Sequence, residues 1–283
     1  RAKYMIRVTD LWPDVVFDFD LVKSRALRTL VGVVTRIAYK FNDGVMAFTP
    51  RIKQRLIGFG IPEAKVYLAE MAVDTSLFRP MPEVWKEAHT LGLPNPKDKF
   101  VVLYSGSFAL TYDFATLLEA AKKLEGGNVL FVLLGDGEAR GEIVEGIRRM
   151  GLKNVLLPAP VTDPEKVAKV INYADVCVIP LKPEMVTSTL TRPSKVFEFW
   201  GCGKPVISGI TGDLEDLTHE SGAGIVVPPG DAEALCQAIR SLSHEPERSR
   251  EMGRKGRDFV LQRFSYEAMR ANLVGVLDKL SSS

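Results

Sequence analysis

Cysteine, histidine and net charge are all scarce in this chain of 283 residues. Its three cysteines, Cys177, Cys202 and Cys236, stand too far apart for a zinc-knuckle spacing, and an odd number argues against a disulfide framework. A reducing, cytoplasmic setting without a bound metal is the expectation. The three histidines, His89, His219 and His244, fall at expected linker or helix-end positions and read as solvated surface residues rather than bases. A formal net charge of +2 lacks the basic excess of a nucleic-acid-binding domain, so no such partner is expected. No apolar run approaches the roughly 18 residues that cross a bilayer, and nothing at the start reads as a signal peptide, which leaves a soluble or peripheral protein. Two loop labels are also missing: neither GxGxxG nor GxxxxGK[ST] occurs, which removes the nicotinamide and P-loop fingerprints.

What is present is a rhythm. With 46% hydrophobic and 25% charged residues the chain can bury one large core or two moderate ones. From Lys99 onward, short apolar runs (VVLYSG at 101–106, NVLFVLLGDG at 128–137, NVLLP at 154–158, DVCVIPL at 175–181, KPVISG at 204–209) alternate with amphipathic stretches at about 113–125, 139–151, 164–173 and 194–201. Runs apolar on both faces and joined by crossover helices predict a doubly wound parallel α/β sheet covered on both sides. GAGIVVPPG at 222–230 continues the pattern, and helices are expected at 231–243, 247–262 and 266–280. Before this lie a strand at 4–8, a turn-rich DLWPD at 10–14, a helix at 21–41, and strands at 44–49 and 65–71. The segment 74–83, with two prolines, reads as a linker. The division predicted is 1–80 as a thin, partial α/β domain, 81–263 as a ligand-binding domain, and 264–283 as a closing helix.

Ligands of doubly wound sheets bind at the C-terminal strand ends. Three such loops are rich: Ser105-Gly106-Ser107, Gly135-Asp136-Gly137 and the stretch from Pro180 to Glu198. In 187–205, TSTLTRPSKVFEFWGCGKP, Pro193 can start a helix, Ser194 can cap it or donate at its N-terminus, and Lys195 adds a full positive charge. That arrangement has the form of a diphosphate site. Glu198, three residues on, shares the helical face of Lys195 and could accept two hydroxyl hydrogen bonds, as from a ribose diol. An ordinary capped helix with a Lys–Glu surface pair fits the same spacing, and both readings stay open on these residues alone.

The string PSKVFEFWGCGKPVI at 193–207 resembles the nucleotide-sugar signature of glycosyltransferase family 4, retaining enzymes of the GT-B fold. VVLYSG, GDG at 135–137, YADVCVIP at 173–180 and VDTSLFRP at 73–80 are similar to that family's donor-domain strand, second loop, later strand and interdomain hinge. DLWPD resembles late acceptor-domain sequence of the branch acting on amino-sugar and lipid-linked acceptors. The resemblance covers nearly the whole chain. It implies a GT-B-like fold with a Rossmann-type donor domain preceded by an incomplete second α/β domain. The first part of the acceptor domain has no counterpart, so a truncated chain or a second polypeptide is expected.

The resemblance further implies a glycosyltransferase of hexosyl or N-acetylhexosaminyl type, serving polysaccharide biosynthesis. Its donor would be a UDP- or GDP-sugar and its acceptor a glycan or lipid-linked molecule, with retention and without metal or further cofactor. Lys195 and Glu198 become the catalytic pair. The donor would be held by Gly106, Ser107, Gly135, Thr189, Thr191, Arg192, Ser194, Lys195 and Glu198, with the base along Pro158 to Val161, including Pro160. The last helix would cross back to the acceptor side. Two features depart from the family. Leu190 stands where many members carry a first glutamate, and the usual Arg and Lys after the first donor-domain glycine are replaced in a region holding Ser107 and Tyr112-Asp113. Phosphate charge then falls to Lys195, Arg192 and the amides of 187–191. A non-catalytic nucleotide-sugar-binding subunit, or an epimerase on the same fold, remains the alternative.

Charge is unevenly spread. Residues 1–60 hold eleven Lys or Arg against five Asp or Glu, a balance of +6 that leaves −4 for the rest. The helix at 21–41 places Arg25, Arg28, Arg36 and Lys40 opposite Leu27, Leu30, Val31, Val34, Ile37, Ala38 and Phe41. Its apolar face is expected on the acceptor-side core, with an anionic membrane surface as the other reading. Asp18-Phe19-Asp20 spells the DxD of metal-dependent glycosyltransferases of another fold, a three-letter match expected by chance.

Overall fold

A computed structural model describes residues 3–9, 11–18, 20–96, 98–182 and 189–281. Two parallel sheets organise the chain. The first has the order β1-β2-β3, from Met5–Val8, Gly44–Ala47 and Val66–Leu68, with β1 and β3 as its edges. Helices α1 (Asp14–Asp18), α2 (Arg25–Lys40) and α3 (Pro50–Gly58) join its strands. Its core is built from Val8, Leu11, Val45, Ala47, Ile52, Leu56 and Ile61.

The second sheet has six strands: β4 (Phe100–Ser105), β5 (Val129–Leu134), β6 (Val155–Leu156), β7 (Val176–Pro180), β8 (Val206–Gly209) and β9 (Gly224–Val226). Their order, β6-β5-β4-β7-β8-β9, is all parallel. Side chains alternate between its faces: Val101, Leu103, Val132, Leu134, Cys177 and Ile179 fill one core. Val102, Tyr104, Phe131, Leu133, Val176 and Val178 fill the other. This period of two explains why the runs are apolar throughout. The crossovers are α4 (Phe114–Lys123), α5 (Arg140–Met150), α6 (Pro164–Tyr173), α7 (Lys195–Gly201) and α8 (Asp213–Ser221), followed by α9 (Ala232–His244), α10 (Pro246–Arg263) and α11 (Tyr266–Ser281). Asp113 and Asp163 start α4 and α6 by accepting from the amides of Thr116 and Glu165. The strand order reverses between β4 and β7, the switch point at which such sheets open a crevice.

The structure adds to the sequence expectations in several places and departs from them in others. Residues 14–18 and 213–221 are helical, the second carrying Asp213, Glu215 and Asp216 in its first turn, where carboxylates favour the helix dipole. Its polar composition concealed it, because only Leu214, Leu217 and a few small residues face inward. A 3₁₀ stretch at Val84–Leu91 is likewise new. The 74–83 segment has no regular structure but is sewn down: Asn172 accepts from the Met81 amide and donates to the Arg79 carbonyl, and Arg257 donates to the carbonyls of Thr75 and Phe78. The apolar face of α2 does not lie on the core. Leu27, Leu30, Val34, Ile37 and Phe41 are exposed, and the helix instead rests on its Val31, Gly32, Thr35 and Tyr39 side.

Candidate functional site

The loops after β4 and β5 meet at the switch point. Gly106 follows β4 with φ +133°, a backbone state that favours glycine, and its amide donates to the Leu134 carbonyl over 2.9 Å. A Cβ on Gly106 would lie 2.6 Å from Lys195 Nζ, and one on Gly135 would lie 1.9 Å from the Gly106 carbonyl oxygen. These two positions therefore require glycine for close approach: the first admits the Lys195 side chain, the second lets two backbones touch. The Phe108 amide donates to Asp136 O and the Ala139 amide to Phe108 O, closing the pair of loops.

Lys195 enters from α7. The residue is only 8% exposed, and its ammonium donates to the Tyr104 hydroxyl over 2.8 Å. The same nitrogen lies 4.2 Å from the Tyr104 ring centre and 4.1 Å from that of Tyr112. Burial pulls its pKa down to about 7, with Glu198 opposing the shift. Glu198, half-buried, is moved the other way: burial raises its pKa and Lys195 restrains the rise. The surface-pair reading thus fails for Lys195, which is buried and bonded to a tyrosine. Burial also raises both phenols, Tyr112 up to about 12.

The remaining expected residues are placed as follows. Ser107 is exposed, and its carbonyl accepts from the Tyr104 hydroxyl over 2.5 Å. Ser194 is exposed and already helical (φ −55°, ψ −31°), and its side chain makes no capping hydrogen bond, so the cap reading is corrected. The turn is closed instead by the Val196 amide on Pro193 O and the Phe197 amide on Ser194 O. Pro160 is exposed and Val161 half-buried in the loop between β6 and α6, two strands from β4 or about 10 Å at the usual strand spacing. Thr189 and Thr191 are half-buried. The Thr189 backbone abuts Gly212, and the Leu190 carbonyl accepts from the Thr49 hydroxyl over 2.6 Å. Leu190 itself packs on the first core. The amides of 187 and 188 lie outside the described residues, as do Asp10 and the middle residue of the DxD string, Phe19.

Arg192 is buried between two carboxylates, Glu70 at 2.5 Å and Asp213. Glu70 also takes both ends of Arg263, and Arg51 of α3 binds Asp216. A phosphate at Arg192 would compete with both carboxylates. Sequence reasoning missed Tyr104, Glu70 and Asp213. Tyr104 sits inside an apolar strand run, and the two acids belong to segments far from Arg192 in sequence. The only visible signal was the tyrosine two residues before Gly106.

A profile of the family described as glycosyl transferases group 1 matches residues 86–259, more than half of the chain. The lipopolysaccharide core biosynthesis glycosyltransferase LpsD of Rhizobium meliloti (strain 1021) is 30% identical over 212 residues, covering 74% of this chain and 57% of LpsD. Among solved structures, a sucrose-phosphate synthase from Thermosynechococcus elongatus superposes with a TM-score of 0.80 at 24% identity, covering 99% of this chain and 68% of that one. Anabaena HepE, solved in complex with UDP and glucose, gives 0.78 at 17% identity over 97% of this chain and 71% of its own. The two sheets have the GT-B fold, and the chain belongs to the glycosyl transferases group 1 family. It spans about half the length of the curated relatives it matches.

Proposed function

We propose that this chain is the donor-binding part of a retaining, metal-independent glycosyltransferase that moves a hexosyl or N-acetylhexosaminyl group from a UDP- or GDP-sugar to a glycan or lipid-linked acceptor. The observation that carries the reading is Lys195: a buried ammonium at the switch point, above Gly106, without a salt bridge to any described carboxylate. A buried cation without a counter-ion costs several kcal/mol, and an incoming diphosphate supplies the missing charge. Lys195 would stabilise the leaving diphosphate, Glu198 would accept from the ribose hydroxyls, and Gly106 would let the phosphates approach the backbone. Pro160 and Val161 would bound the base. Arg192, tied to Glu70 and Asp213, would fix the segment leading into α7.

LpsD, named for lipopolysaccharide core biosynthesis, supports a glycan acceptor, and HepE, solved with UDP, supports a nucleoside-diphosphate donor. On the acceptor side, the three-stranded sheet presents β1 as an edge, and further polypeptide, in this or a second chain, would extend it there. The basic, outward-facing α2 would meet an anionic membrane surface. Mass-spectrometric detection of sugar passed from a nucleotide donor tests the activity. Glu198→Ala is expected to lower kcat/KM by at least tenfold, as for loss of a charged hydrogen bond worth about 1.5–3 kcal/mol. Full activity in that variant would remove Glu198 from the site.

A further inference from the structure

The setting of Lys195 is built from two directions. Tyr104 is the fifth residue of β4, fully buried, with Phe108 and Phe114 against its ring at 5.8 and 5.0 Å between centres. Tyr112 belongs to the loop after β4, and that loop is pinned to the end of β7. The Asp113 amide donates to Pro180 O over 2.7 Å and the Lys182 amide to Thr111 O over 3.0 Å. The two strands that flank the switch point therefore each fix one ring, and the rings stand edge to face at 5.3 Å.

Between them the ammonium finds part of the stabilisation that a carboxylate would supply, and none of its charge. Tyr112 presents its ring to the cation with the centre 4.1 Å away, and Tyr104 meets it at the hydroxyl end of its ring, with the centre at 4.2 Å. The Tyr104 hydroxyl spends its proton on Ser107 O and so offers a lone pair to Lys195. A carboxylate in that place would neutralise the ammonium and compete with an arriving anion. Aromatic faces stabilise the cation without competing, because they carry no net charge to be displaced. Glu198, on the lysine's own helix, is the acidic group that reaches it electrostatically, and the phenols of Tyr104 and Tyr112 are the titratable groups facing it from β4 and the following loop.

We propose that Tyr104 and Tyr112 are positioning residues for Lys195: their rings stand in for a counter-ion and hold the ammonium over Gly106, ready for the phosphate anion of the donor. This rests on the donor-binding reading above, and the test separates the two.

The probes are UDP-glucose and GDP-mannose, whose phosphodiesters do not titrate between about pH 6 and 9, where the lysine does. Calorimetric titration of the whole chain across that range should show one of them binding, with affinity falling as pH rises through about 7 and Lys195 loses its proton. Tyr112→Leu, a change at a half-buried position, is expected to weaken binding about tenfold at neutral pH and to move the fall in affinity to lower pH. Tyr112→Phe keeps the ring and should restore both to within about twofold, whereas a general loss of packing would leave the pH profile where it was. Lys195→Met should bind weakly and without this pH dependence. If Lys195→Met loses binding while Tyr112→Leu matches the wild type in affinity and profile, the positioning role is overturned and the donor site stands. If the wild type binds neither probe, or Lys195→Met binds as the wild type does, the donor reading falls and the positioning role with it.

Discussion

At the scale of single residues, Lys195 sets up a conflict between stability and use. Its pKa in the folded chain, about 7, lies below the ordinary lysine value of 10.5. Between those values the unfolded chain binds more protons than the folded one, so stability rises with pH through this window. Below about pH 7 the buried charge is present in full and destabilises the fold by a few kcal/mol, at 1.36 kcal/mol per unit. Lys195→Met, which keeps the chain length and removes the charge, is therefore expected to raise the melting temperature of the unliganded protein at pH 6 to 7, by several degrees for about 1–2 kcal/mol. The gain should fade as pH rises toward and past 10.5, above which the lysine is neutral in both states. Scanning calorimetry at several pH values reads this directly; a lower melting temperature throughout would mean that the ammonium stabilises the fold.

Much of this residue-level account was legible. Lys195 and Glu198 stood out by spacing, and Gly106 and Gly135 by their places after apolar runs. The aromatic surroundings of Lys195 did not, because Tyr104 reads as one more apolar strand residue until the sheet brings α7 beside it. Arg192 was legible as a cation and not as a buried ion pair, since Glu70 and Asp213 approach it only through the tertiary fold.

At the scale of elements, strands and crossover helices were the readable part, because period-two and helical apolar patterns survive in sequence. What escaped were short elements set by local polar chemistry: Asp213–Ser221, and the 3₁₀ stretch Val84–Leu91. Helix α2 was readable as amphipathic but not in its orientation. Its apolar residues Leu27, Leu30, Val34, Ile37 and Phe41 recur every three or four positions, all are at least 46% exposed, and Arg25, Arg36 and Lys40 flank them. No described helix is long and apolar enough to cross a membrane, and the in-plane role at a lipid surface proposed for α2 rests on its exposed apolar and basic residues. Liposome co-sedimentation should show binding that increases with anionic lipid and weakens with salt, and Leu30→Glu together with Val34→Glu should abolish it. Binding indifferent to lipid charge would exclude the role.

At the scale of the whole molecule, the two sheets are joined by a buried ionic network rather than by a loose hinge. Arg192 links Glu70, just beyond β3, to Asp213 at the start of α8, and Arg263 at the end of α10 closes on Glu70 as well. Thr49, which caps α3, donates across the same boundary to Leu190, three residues before Pro193. The segment that leads into Lys195 is thus held from both sides, and the lysine is aimed by the whole architecture: β4 and the β7 end supply the rings, β5 supplies the Gly135 contact, and the network fixes the approach to α7.

The arrangement is proposed to bind a nucleotide-sugar through Lys195. The direct measurement is a thermal-shift comparison of the wild type and Lys195→Met against UDP-, GDP-, ADP- and CMP-sugars. A UDP- or GDP-sugar at 100 times its dissociation constant is expected to stabilise the wild type by about 2.7 kcal/mol and to leave Lys195→Met close to its unliganded melting temperature. Equal stabilisation of both proteins, or no shift of the wild type with any of the four donor classes, would contradict it.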